Sequence, residues 1–117
     1  MGQGYKRSAR LSDLIVKEIS DMISKGEIRD PRVSLISITG IRVSNDLGFA
    51  KIFFTPLIED SDKDEALKGL MSATGYIKTQ LSKRLRVKKI PKIEFEYDYF
   101  FDKSQRLDEI IRSSSDE

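Results

Sequence analysis

Residues 63–86 read KDEALKGLMSATGYIKTQLSKRLR, a helical pattern with an interruption near its middle. Apolar residues recur at spacings of three and four on both sides of the interruption, which predicts helices that each bury one face. The interruption is Ala73-Thr74-Gly75, where a β-branched residue adjoins a glycine that costs about 1 kcal/mol relative to alanine in a helix. The stretch therefore predicts two helices that meet at a kink. Their expected buried positions are Ala66, Leu67, Leu70, Met71, Ile77, Leu81 and Leu85.

Upstream, residues 8–25 repeat the helical spacing, and Gly26 is expected to end this first helix. Pro31 cannot continue a helix and restricts the residue before it, so a strand is expected to follow. The helical stripe is expected to be core and consists of Leu11, Leu14, Ile15, Ile19, Met22 and Ile23.

A hairpin and a later strand complete the pattern. The inward face of the first strand changes phase around Gly40, which indicates a β-bulge. Residues 45–48 form a predicted turn into a strand with Ala50, Ile52 and Phe54 on one face.

After Pro91, apolar and aromatic residues alternate with polar ones, which predicts a half-buried strand with a largely acidic outer face. The inward set is Ile93, Phe95, Tyr97 and Tyr99, and the outward set is Lys92, Glu94, Glu96 and Asp98.

The resulting order is helix, strand, strand, helix, kink, helix, strand. This is the order of a type II KH domain, an α+β fold with helices on one face of a three-stranded sheet. KH domains clamp single-stranded nucleic acid with a Gly-x-x-Gly loop between two helices, and the kink occupies that place here. A chain of 117 residues can bury one core but hardly two. We therefore expect a single domain over 1–101 and a short helical, partly disordered tail over 102–117.

Charge is strongly segregated along the chain. Residues 66–93 hold eight basic side chains and no acidic one, whereas residues 94–117 hold three basic and eight acidic ones. Such segregation indicates a polyanionic partner, the alternative being a solvated, lysine-rich helical face. Lys6, Arg7 and Arg10 form a weaker candidate patch, for which a mobile N-terminus is the alternative. The main candidates for RNA binding are Lys78, Lys83, Arg84, Arg86, Lys88, Lys89 and Lys92.

Composition argues against several kinds of chemistry. The chain has no histidine and no cysteine, which disfavours hydrolytic triads, disulfides and most metal sites. Residues 60–64 resemble the start of a calcium loop, but Glu65 and Met71 stand where that loop needs glycine and glutamate. Asp62 is instead the predicted N-cap of the next helix, in a capping-box relation with Glu65. We expect no cofactor, no metal and no enzymatic activity.

No apolar run approaches the ~20 residues that a membrane span needs, and the N-terminus lacks the apolar core of a signal peptide. The expectation is a monomeric cytoplasmic protein.

A small hydrolase or nuclease built on Glu94, Glu96 and Asp98 is a poor alternative, because nothing indicates the desolvated pocket that would separate their pKa values.

The chain resembles the ribosome-binding factor A family, whose signature is an Ala-x-Gly kink in a KH-like fold. Matching stretches are RSARL at 7–11, VSNDLGFAKI at 43–52, GYIK at 75–78 and IPKIEFEYD at 90–98. Lys78 stands where the family often has arginine, and Tyr99-Phe100 replaces smaller residues. The resemblance implies binding to the free small (30S) ribosomal subunit and its 16S rRNA, with a role in late maturation and 5′-end processing, especially in the cold. The alternative is a stand-alone KH-like RNA-binding regulator without ribosome specificity.

Overall fold

A computed structural model describes residues 2–57 and 62–101, with side chains described from residue 7 onward. The predicted tail at 102–117 lies outside the described residues. The elements are α1 (Gly2–Ser24), a short 3-10 helix (Pro31–Val33), β1 (Ile36–Val43), β2 (Phe49–Pro56), α2 (Lys63–Ser72), α3 (Thr74–Arg84) and β3 (Lys92–Tyr97). This order confirms the predicted α+β class. Some bounds differ: the first helix begins at Gly2, the helical pattern read to residue 86 ends at Arg84, and the last strand ends at Tyr97.

The three strands form one sheet in the order β1-β2-β3. β1 and β2 make an antiparallel hairpin, whose register shifts between Ile38 and Gly40, where the sequence predicts a bulge. β2 and β3 are parallel, with Phe49 opposite Lys92 and Phe54 opposite Tyr97. Parallel neighbours need a long crossover, which α2 and α3 provide. The starts of β2 and β3 and the end of β1 therefore lie at one end of the sheet.

The core lies between the helices and one face of the sheet. Ala50, Ile52 and Phe54 are fully buried, while their neighbours along β2 are only half-buried. Two predicted core residues are exposed instead, Leu14 by 38% and Met71 by 64%. Each lies one residue from a buried position, Ile15 and Leu70 respectively, and is therefore rotated by about 100° away from the core around its helix.

A left-handed glycine ends α1. Gly26 has a φ of 70°, which glycine adopts without steric cost. The Glu27 N–H donates to the Met22 carbonyl at 2.9 Å, and the Gly26 N–H donates to the Ile23 carbonyl at 3.2 Å. These are the hydrogen bonds of a Schellman motif. The motif confirms the predicted end of the helix and turns the chain so that residues 25–30 pass beside the kink.

The kink is centred on Ala73, which separates α2 from α3 and has φ and ψ of −87° and −3°. The Thr74 hydroxyl donates to the Leu70 carbonyl at 3.0 Å, so the threonine satisfies an acceptor at the end of α2. Gly75 lies inside α3 and does not have a positive φ. The helix pair therefore changes direction at the alanine, one residue before the threonine, and without an unusual glycine conformation.

Candidate nucleic-acid interface

The predicted basic residues fall on α3, on the connection to β3 and at the first position of β3. Lys78 and Lys83 are exposed on α3; Arg86, Lys88 and Lys89 are exposed on the connection; Lys92 is exposed at the start of β3. The Lys92 N–H donates to the Gly48 carbonyl at 3.0 Å, which places the connection beside the β1–β2 turn. We call Arg86, Lys88, Lys89 and Lys92 the basic loop.

The basic loop and the hairpin turn share one end of the sheet. Within the turn, Asp46 accepts hydrogen bonds from the Ser44 hydroxyl at 2.7 Å and from the Gly48 N–H at 3.0 Å. These bonds, the first being the larger effect, hold the pKa of Asp46 below its ordinary value, and the positive charge of Lys89 contributes a smaller lowering. Lys89 of the basic loop therefore lies close enough to the turn to lower the pKa of Asp46.

Lys78 and Lys83 do not form one continuous patch with each other. They are five positions apart in the chain, which places them about 140° apart around α3. Lys83 lies two helical turns after Tyr76, on the same side of α3 as Tyr76. Lys78 lies one turn after Thr74, on the side of α3 that Thr74 occupies. α3 therefore presents cations on both flanks of its exposed surface.

Arg84 differs from the other predicted cations because two carboxylates bind its guanidinium. Its Nη1 lies 3.4 Å from Glu18 Oε2, its Nη2 donates to Glu27 Oε2, and its side chain is only 27% exposed. The hydrogen bond to Glu27 is the main cause of a raised pKa for Arg84. By contrast, the other six candidates form no ion pair within residues 2–57 and 62–101. The position of Arg84 indicates a structural role, in holding α3 against α1.

Arg7 and Arg10 are exposed on α1. Arg84 at the C-terminal end of α3 contacts Glu18, while residues 25–30 share a groove with the N-terminal end of α3. Arg7 and Arg10 lie about two to three helical turns before Glu18 on α1, in the half of the helix that precedes the contact with Arg84. Their role in RNA binding stays a prediction.

Two cavities flank the kink, on opposite sides. A groove of about 800 Å³ lies between residues 25–30 and the kink, and its lining includes Ala73 and Tyr76. We call it the Tyr76 groove. A second cavity of about 530 Å³ lies between α2 and β3, and Glu94 and Glu96 line it. Sequence reasoning assigned no role to Tyr76, and the only signal for it was an aromatic residue outside the apolar stripe of α3.

The acidic residues in and just after β3 lie in different surroundings. Glu94 and Glu96 are exposed, and Glu96 lies 3.4 Å from the ammonium of Lys51. Asp98, expected on the solvated outer face, is half-buried and accepts a 2.6 Å hydrogen bond from the Thr39 hydroxyl. The strand ends at Tyr97, so Tyr99 does not continue the inward face as predicted and is 57% exposed. These carboxylates serve the fold and its solvated surface.

In the acidic segment before α2, the structure describes the residue next to the helix, and this residue caps it. The Asp62 carboxylate accepts hydrogen bonds from the N–H groups of Asp64 and Glu65, which confirms the predicted N-cap. The Glu65 side chain pairs with Arg32 and Lys68, so the helix start is tied to the 3-10 helix.

Among the residues of known position, no group of acidic side chains is arranged to hold a metal ion. No helix in the same residues is both long and apolar enough to cross a membrane.

Comparison with known proteins points to one family. The family model described as Ribosome-binding factor A matches residues 7–111. A ribosome-binding factor A from Syntrophus aciditrophicus is 43% identical over 107 residues, which cover 92% of this chain and 86% of that protein.

Solved structures agree on the fold. The crystal structure of ribosome-binding factor A from Thermus thermophilus superposes with a TM-score of 0.64 at 24% identity, covering 77% of this chain and 93% of that one. A homology model of Thermus thermophilus ribosome-binding factor A, as fitted into a cryo-EM map of its complex with the 30S subunit, gives a TM-score of 0.56 at 22% identity, covering 77% of this chain and 89% of that one.

A kinked helix pair packed on a three-stranded sheet, with unpaired cations exposed beside it, defines a KH-like α+β domain. Within that class, the extent of the family match and the identity to curated relatives decide the assignment. The chain belongs to the ribosome-binding factor A family.

Proposed function

We propose that this protein is a non-enzymatic assembly factor that binds the free small ribosomal subunit through its 16S rRNA. The single observation that carries the proposal is the set of six exposed cations on α3 and the basic loop that no acidic side chain neutralises within the described residues. Family membership supports the ribosomal target, as does the Thermus thermophilus relative that was fitted into a map of a 30S complex.

The physical basis of binding is the release of counterions from RNA phosphates. Each lysine or arginine that neutralises a phosphate frees condensed cations, so affinity falls steeply as the salt concentration rises. Lys88, Lys89 and Lys92 are long side chains at one edge of the fold, suited to phosphates rather than to base edges. Specificity for one site on the ribosomal RNA then depends on the shape of the kinked helix pair.

The proposal extends to the role of binding, as the family resemblance implies. The protein supports late maturation and 5′-end processing of the 16S rRNA, and it matters most in the cold, when misfolded RNA rearranges slowly. It acts in the cytoplasm as a monomer and forms no covalent intermediate. A stand-alone KH-like regulator is the second candidate, which the fold and the unpaired cations support equally well.

Sedimentation through a sucrose gradient separates the two candidates. We expect the purified protein to migrate with free small subunits and not with complete ribosomes. A variant in which Arg86, Lys88 and Lys89 are replaced by glutamine is expected to remain at the top of the gradient. Absence of the unaltered protein from the small-subunit fraction, with RNA binding retained, would favour the regulator.

A further inference from the structure

We propose that the Tyr76 groove holds one unpaired nucleotide of the bound RNA, with the base stacked on the Tyr76 ring and its phosphates near Lys25 and Arg29. The inference rests on the proposed RNA-binding function and adds a specific subsite to it. The basic loop would supply general affinity for RNA, and this groove would select RNA that has an unstacked base beside a helix.

The aromatic ring is available to a ligand. Tyr76 is 42% exposed on the flank of α3, outside the buried stripe that contains Ile77 and Leu81. It forms no ring contact with another aromatic residue in the described parts of the chain, whereas Tyr97 and Tyr99 pack edge to face at 4.7 Å. A tyrosine face that solvent reaches is a suitable platform for a base of any identity.

Charge in the groove favours a phosphate. Its two acidic residues are both engaged in ion pairs, Glu27 with Arg84, which Glu18 also contacts, and Asp30 with Arg32, whose Nη2 lies 2.8 Å from Asp30 Oδ2. The groove is also lined by Lys25 and Arg29, which are exposed and have no ion pair within 2–57 and 62–101. The carboxylates of the groove are therefore occupied, and these two cations are available to a phosphate.

The side of the groove that carries Tyr76 is otherwise formed by small residues. Gly69, Ser72 and Ala73 line it along α2, before Tyr76. At Gly69 an added Cβ would lie 2.7 Å from Val33 Cγ2, so α2 packs closely on the 3-10 helix, and glycine is required there. These small residues leave room beside Tyr76 for a planar base between the helix pair and residues 25–30.

The second cavity at the kink has the opposite character. Glu94 and Glu96 line it, and its one basic residue, Lys51, is paired with Glu96. A phosphate entering between α2 and β3 would meet an excess of negative charge. At the kink, the charges therefore favour RNA on the flank that carries Tyr76 over the cavity lined by Glu94 and Glu96.

The test compares two RNA hairpins that differ by a single unpaired 2-aminopurine, whose fluorescence falls when it stacks. We expect the bulged hairpin to bind about tenfold more tightly than the perfect one, with quenched fluorescence, because stacking on one aromatic side chain is worth about one order of magnitude in affinity or more. Tyr76→Leu should abolish the difference and the quenching. Tyr76→Phe, which keeps the ring, should preserve both.

Two controls separate this subsite from the wider proposal. Tyr99→Leu removes another exposed tyrosine and should leave the preference for the bulge unchanged. Lys25→Gln combined with Arg29→Gln should weaken binding of the bulged hairpin more than that of the perfect one, and it provides a second test if Tyr76→Leu unfolds. An unchanged preference in both groove variants would overturn the subsite, and RNA binding that still depends on the basic loop would show that the proposed function stands without it.

Discussion

Arg84, the last residue of α3, donates to the carboxylate of Glu27, which lies just past the glycine that ends α1. A second carboxylate, Glu18, contacts the same guanidinium from within α1. The arginine thus fastens the C-terminal end of α3 to both the body of α1 and the turn that follows it. Because the basic loop begins two residues later, this contact fixes the direction in which the loop leaves the helix.

The role of Arg84 predicts that its loss affects stability more than RNA affinity. Arg84→Met leaves Glu18 and Glu27 without their partner, so the melting temperature should fall. Lys83→Met removes the same charge from the neighbouring, exposed position and should leave the melting temperature nearly unchanged. Thermal melts followed by circular dichroism measure both. Equal melting temperatures for the two variants would contradict the structural role of Arg84.

The basic loop predicts a specific change in salt dependence. Replacement of Arg86, Lys88 and Lys89 by glutamine should weaken RNA binding and reduce the slope of log K against log salt by about 2 to 3, since each lost phosphate contact reduces it by about 0.7 to 0.9. The charge-matched control replaces Lys17, Arg42 and Lys68, which are exposed on α1, β1 and α2. Fluorescence anisotropy at several salt concentrations gives the slopes. Similar slopes for the two triple variants would rule out the assigned surface.

Two glycines near the kink predict opposite effects of the same substitution. Gly69→Ala places a Cβ 2.7 Å from Val33 Cγ2 and 3.1 Å from Arg32 Cβ, and should destabilise the fold by about 1–3 kcal/mol through overpacking. Gly75→Ala meets nothing within 4 Å and should stabilise α3 by about 0.5–1 kcal/mol through helix propensity. Urea denaturation measures both free energies of unfolding. A stabilising Gly69→Ala would contradict the close packing of α2 on the 3-10 helix.

The hairpin turn predicts a loss of stability in acid. Hydrogen bonds from the Ser44 hydroxyl and the Gly48 N–H lower the pKa of Asp46 from its ordinary value of 3.8. A carboxyl group with a lowered folded pKa stabilises the protein fully above its unfolded pKa, and this contribution disappears as the pH falls through the folded pKa. Asp46→Asn should therefore reduce the difference in melting temperature between pH 6 and pH 2.5. The same difference in Asp46→Asn as in the unaltered protein would contradict this contribution.

Local chemistry in the sequence determined the order and most bounds of the elements. Gly26 marks the end of α1 because only glycine adopts its φ of 70° without cost. The phase change at Gly40 appears as the register shift in the hairpin. The break between α2 and α3 falls at Ala73, within the predicted kink at Ala73-Thr74-Gly75. The segregation of charge likewise needed no structure, because a count along the chain reveals it.

Tertiary structure decided which charged groups are available to a partner. Arg84 and Lys83 are adjacent cations, and periodicity alone does not show that Glu18 and Glu27 lie next to one of them, 66 and 57 positions away in the chain. Asp98 belongs by alternation to a solvated face, yet Thr39 reaches it across the sheet. The Tyr76 groove has the same origin, because its two sides come from residues 25–30 and from the kink. Contacts between distant segments depend on how the helices pack over the sheet, and no local pattern in the sequence records that geometry.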